Sequence, residues 1–190
     1  SLFTFLFLLS GLCAAPTKTV WQIGEKNHSA SELALSPDKY KEFLANDFGW
    51  EDRFYIIGLS SPQKDFPYVL PGPADHWGGT SYTAGIRTHV LNILFGMKEV
   101  PETDSWKLII DLLDTHHELP ALFKITINGK SWKYALPKGS GKSIDGDYSQ
   151  IKPHTIEIPQ NSGVIRKASN SIALTCLEGS WILFDDIRLM

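Results

Sequence analysis

The stretch LFKITINGKSWKYAL, Leu122 to Leu136, constrains the fold more than any other. Asn128-Gly129 suits a two-residue type I′ turn, because both central positions need positive φ. That turn fixes the pairing of the flanking strands. Ile127 opposes Lys130, Ile125 opposes Trp132 and Phe123 opposes Tyr134, all on an apolar face. Thr126 with Ser131 and Lys124 with Lys133 form the other, wetted face. A slip of one residue would turn the lysines inward, so pattern and turn specify one register. The paired lysines are mildly unfavourable and call for an open, solvated surface.

Seven further stretches follow the same grammar: TVWQIG, RFYIIGL, HVLNILF, SWKLIIDLLD, HTIEIP, NSIALTCL and SWILFDDIRL. They are short, rich in β-branched and aromatic residues, and divided by Gly, Pro, Asn and Asp. One helix is predicted over SPDKYKEFLAND, with Ser36 as N-cap and Pro37 in the first helical position. A strand series with one short helix predicts an all-β antiparallel β-sandwich or jelly roll.

The first residues, SLFTFLFLLSGLCAA, have the short apolar run and small-residue end of a secretory signal peptide. The expected organisation is a leader over residues 1–15 and one β-sandwich module over 16–190, at the front of a longer secreted, extracellular or periplasmic, enzyme. The apolar run is shorter than the roughly 20 residues a spanning helix needs. A net charge of −3 without a basic block argues against nucleic acid as a partner. Past the leader Cys176 is the sole cysteine, which excludes an intrachain disulfide and predicts a buried small hydrophobe.

LPKGSGKS, Leu136 to Ser143, has Leu136 where a phosphate loop needs glycine and precedes no helix, so it reads as a flexible exposed loop. His116-His117, near Asp111, Asp114 and Glu118, reads as a polar strand connection. Asp145 and Asp147 in DGDY, with Asp185 and Asp186, are the best carboxylate clusters. A structural calcium is the one cofactor they leave open. As strand neighbours, Asp185 and Asp186 are expected to point to opposite faces. No spacing assembles an acid–base pair, so no catalytic residue is assigned.

The segment PGPADHWGGTSYTAGIRTH, Pro71 to His89, gathers flat and polar groups on a glycine-rich backbone. Asp75, His76, Trp77, Tyr82 and Arg87 are the set that meets sugar faces and hydroxyls. Trp50 and Tyr68, on other irregular stretches, are candidate neighbours. Trp77 is either a ligand platform or a plug that folds inward. Trp21, Trp106, Trp132 and Trp181 lie in strand patterns and are assigned to the core.

Four segments together carry a family resemblance: VWQIG (Val20 to Gly24), FYIIGLSSPQKDFPYV (Phe54 to Val69), LIIDLLDTHHELPALFKITINGK (Leu108 to Lys130) with its NG hairpin, and the close ASNSIALTCLEGSWILFDDIRL (Ala168 to Leu189). The chain resembles the galactose-binding-like β-sandwich that forms the third domain of family 4 rhamnogalacturonan lyases, which are secreted polysaccharide-degrading enzymes. The resemblance implies a β-sandwich and a carbohydrate context, with a polysaccharide or oligosaccharide and a downstream catalytic domain as partners. It transfers no lyase active site. The expected function is an ancillary carbohydrate-binding or bracing module. The alternatives are one wall of a lyase or glycoside hydrolase active site, and an adhesion-type domain without sugar affinity.

Overall fold

In the computed structural model, residues 18–36, 52–75, 88–100, 106–160 and 164–190 are described. Their strands are β1 (Trp21–Gly24), β2 (Arg53–Ile56), β3 (Val69–Leu70), β4 (Leu91–Met97), β5 (Trp106–Thr115), β6 (Leu122–Ile127), β7 (Lys130–Ala135), β8 (His154–Gln160), β9 (Ala168–Glu178) and β10 (Ile182–Leu189). They form two sheets. The first runs β1-β10-β5-β8, with β3 also on β10; the second runs β2-β4-β9-β6-β7. The all-β sandwich expected from the sequence is the fold.

The hairpin stands as the turn chemistry requires. Asn128 and Gly129 both have positive φ, at 47° and 92°. The pairs run Ile127 with Lys130, Ile125 with Trp132 and Phe123 with Tyr134. Phe123, Ile125 and Ile127 are fully buried, each contributing roughly 1.5–3 kcal/mol by leaving water. Asn128 also binds outward from the turn. Its Nδ2 donates to Val164 O (2.6 Å) and Asn170 Oδ1 (2.7 Å), and its Oδ1 accepts from Ser171 N (2.9 Å). The turn is thereby tied to β9 and to the segment before it.

The core lies between the sheets. Ile23, Ile187, Ile110 and Ile156 meet in one register across the first sheet, facing Ile93, Ile172, Leu174 and Ile125 of the second. Trp21, Trp106 and Trp181 are buried there, and Trp132 packs half-buried at its margin. Cys176 is fully buried; burial pushes its thiol pKa up, the state of an inert packing residue.

Four features depart from the expectations. The β2–β4 pair is parallel, joining Arg53–Ile56 to Leu91–Leu94; strand patterning carries no information on direction. A two-residue strand at Val69–Leu70 and a one-turn helix at Pro62–Asp65 appear where no element is predicted. The LPKGSGKS loop is docked rather than free. Ser140 N (2.7 Å), Ser140 Oγ and Ser143 Oγ (2.6 Å) all donate to the buried Asp114 carboxylate, and a Cβ on Gly139 would collide with Thr115 O. A buried carboxylate must be given donors, and this loop supplies them. The fourth, at Asp185 and Asp186, belongs to the site. The predicted helix beyond Ser36 lies outside the described residues.

Candidate functional site

The predicted sugar loop is visible at its root. Asp75 is buried; its Oδ2 accepts from Gly72 N (2.8 Å) and its Oδ1 from Ser180 Oγ (2.5 Å). Ala74 N donates to Gly179 O at 2.9 Å, and a Cβ on Gly72 would collide with Gly179 O. The Pro71-Gly72 approach is therefore clamped onto the β9–β10 turn, and Asp75 is the clamp. Tyr68 is also fully buried, and its hydroxyl donates to Ile144 O at 2.9 Å. Both were expected to face a ligand; the structure places both inside, where the fold uses their polar atoms. His76, Trp77, Tyr82, Arg87 and Trp50 lie outside the described residues.

The outer face of the first sheet holds a charged cluster that strand alternation would have scattered. The β10–β5 register shifts between Phe184 and Asp186, so Phe184 opposes Leu112 and Asp186 opposes Asp111, with Asp185 as the extra residue. Such a bulge turns two successive side chains toward one side. The plain alternation expected of Asp185 and Asp186 is broken by this shift: both are buried, Asp185 against the loop after β1 and Asp186 against Arg188.

The two aspartates have different partners. Asp185 Oδ1 accepts from His28 N (3.0 Å) and Asn27 N (3.3 Å), pinning the loop after β1. Burial raises its pKa, and those backbone donors oppose the rise. Arg188 Nη1 donates to both oxygens of Asp186 (2.7 and 2.6 Å) and to Asp111 Oδ2 (2.7 Å). Thr155 Oγ1 donates to Asp111, and Lys26 Nζ lies 3.3 Å from it. Burial pushes Asp186 up to about 6, with Asp111 adding to the rise against the pull of Arg188. Burial also acts on Asp111, but the bonds from Thr155 and Arg188 outweigh it and hold its carboxyl below the ordinary value.

Three of the four carboxylates proposed for a calcium already have partners. Asp185 is spent on backbone N–H groups and Asp186 on a guanidinium, while Asp147 accepts from Ser149 N at 3.0 Å. Among the described residues no three His, Cys, Asp or Glu side chains converge to hold a metal ion. The histidine pair is a connection, as its pattern predicts. His116 Nδ1 accepts from Glu118 N (3.2 Å) and Leu119 N (3.1 Å), its ring meets Trp181 edge-on, and His117 sits 3.6 Å from Glu118.

One surface escaped the sequence reading. Phe54 on β2 is 59% exposed while its neighbour Tyr55 is buried. The signal was present: consecutive aromatics on a strand must face opposite ways, so Phe54-Tyr55 puts one ring in the core and one outside.

These features define a two-sheet, loop-clamped β-sandwich whose described carboxylates brace loops and sheet. The chain belongs to the CBM-like family described as polysaccharide lyase family 4, domain III, whose model matches residues 19–189. No curated protein matches it. Among solved structures it is similar to a family 35 carbohydrate binding module from an environmental isolate, at 14% identity and TM-score 0.36, covering 53% of this chain and 63% of that one. It is also similar to a family GH115 4-O-methyl-α-glucuronidase with specificity for decorated arabinogalactans, at 18% identity and TM-score 0.42, covering 93% of this chain and 18% of that one. A family 35 module from Clostridium thermocellum matches at 14% identity and TM-score 0.34, covering 53% of this chain and 68% of that one. No helix among the described residues is long and apolar enough to cross a membrane.

Proposed function

We propose that this chain is an ancillary carbohydrate-binding module of a secreted polysaccharide-degrading enzyme, holding pectic or related glycan for a catalytic domain elsewhere in the parent protein. The observation that carries the reading is the family match, which runs through the whole sandwich from residue 19 to residue 189. Two structural facts support it. The entry to the 71–89 segment is clamped through Asp75 and Ser180, a fixed base for the stretch of sequence that carries Trp77. The described carboxylate pair, Asp111 with Asp186, is occupied by Arg188, and Lys26 from the loop after β1 reaches Asp111, an arrangement suited to bracing.

Affinity electrophoresis of the full chain through gels containing pectic polysaccharides tests this. Retarded migration supports binding, and unaltered migration in every glycan gel contradicts it. Release of unsaturated uronides by the purified chain, read as ultraviolet absorbance and lost on substituting Asp111 or Asp186, would contradict the ancillary role.

A further inference from the structure

We infer that the outer face of the second sheet is a separate platform for an anionic polysaccharide, with Phe54 as its stacking ring and Lys124 and Lys133 as its charge partners. The inference rests on the glycan-binding reading and adds to it a second surface and the charge of the ligand.

The face is assembled by register. Phe54 pairs with Asn92, Asn92 with Ala173, Ala173 with Thr126 and Thr126 with Ser131, so one row crosses all five strands. At about 4.8 Å per strand this row is roughly 19 Å long, the reach of an oligosaccharide rather than a single sugar. At one end Phe54 is 59% exposed, with Ile56 at 39% beside it. The middle is low: Ala173 and Thr126 are half-buried, and Thr126 Oγ1 and Ser131 Oγ hydrogen-bond each other at 2.8 Å. An exposed ring beside a flat row of small and hydroxyl-bearing side chains fits the apolar face of a pyranose and the hydroxyls of its neighbours.

The next row supplies the charge. Thr175, Lys124 and Lys133 lie in register, with the two lysines directly opposite each other. Like charges so placed repel, and among the described residues neither lysine forms an ion pair. Within the described strands of this face the one carboxylate is Glu178, paired with Leu122 two residues along β6 from Lys124, a single carboxylate against two ammonium groups. A ligand that brings its own carboxylates would relieve the repulsion, whereas a neutral glycan would leave it. The ammonium pair and the Phe54 ring are on the order of 15 Å apart by strand spacing, so they meet different residues of one chain. The occupant is a uronate-bearing polysaccharide.

The test is affinity electrophoresis of the full chain in gels of polygalacturonate, of its methyl-esterified form and of polyglutamate. The wild type should be retarded by polygalacturonate and much less by the ester or polyglutamate. Lys124→Gln with Lys133→Gln should weaken retention roughly tenfold, and Phe54→Ala roughly fivefold. Melting temperatures should stay within about 1–2 °C. If Phe54→Ala does not fold, Phe54→Leu keeps the apolar area, removes the flat ring and should give the same loss. Equal retention by the ester, or equal retention by polyglutamate with no effect of Phe54, overturns the inference. Retention that survives all face variants but is lost in Trp77→Ala overturns it while leaving the proposed function standing. No retention of the wild type in any glycan gel overturns both.

Discussion

Asp186 and Asp111 share one guanidinium on the outer face of the first sheet, and the proton balance of that cluster is open to measurement. Asp186 holds its proton up to about pH 6 in the folded chain, while the unfolded chain releases it near the ordinary carboxylate value of about 3.9. Between those values the native state binds more protons. The contribution of this group to stability therefore falls as pH rises from about 4 to 6, by at most about 1.4 kcal/mol per pH unit. Asp111 has a lowered pKa, so its contribution is present above its unfolded value and is lost only at more acidic pH. Asp186→Asn should flatten the slope of melting temperature between pH 4 and 6 relative to wild type; parallel curves would contradict the assignment. Gly24 gives a second test. It sits at φ +78°, and a Cβ there would collide with Asp185 O. Gly24→Ala should cost about 1–3 kcal/mol from the backbone alone, read by denaturant unfolding, with the clash adding to it.

At the scale of elements, the β6–β7 hairpin was readable because its determinants are local: a dipeptide that demands positive φ and an alternation that selects one register. The β10 bulge was not readable. It depends on where Phe184 and Asp186 land against β5, a pairing made across a separation of more than 70 residues. The parallel β2–β4 pair was unreadable for a related reason, since hydrophobic alternation is the same in either direction. The docking of the glycine–serine loop has no local signal, because its anchor, Asp114, lies in a distant strand. The site was legible only in its residue types. Asp75 and Tyr68 looked like loop polar groups, yet the fold needed one as a clamp and the other as a buried strut. The hairpin carries its own prediction. Asn128→Ala removes three side-chain hydrogen bonds and places a non-glycine residue without local polar help at positive φ. It should cost about 2–4 kcal/mol in urea unfolding, whereas Asn128→Gly, which relieves the backbone, should cost less. Equal losses would show that the bonds alone hold the turn.

For the whole molecule, the two sheets divide the work. The first is tied to neighbouring loops through Asp185, Asp114 and Tyr68. Among the described residues the second leaves its outer face uncovered, with an exposed ring at one end and an ammonium pair at the other. Such asymmetry suits a module that braces through one side and binds through another. Glycan binding should then be salt-sensitive: raising NaCl from 0.05 to 0.5 M should weaken retention by an acidic polysaccharide severalfold, because exposed charge pairs are screened. The most direct measurement of the central claim is a polysaccharide microarray probed with the labelled full chain. Signal is expected on at least one uronate-bearing glycan, reduced by Phe54→Ala and by high salt. Absence of signal on every acidic and neutral polysaccharide, from a chain shown to be folded, would contradict it.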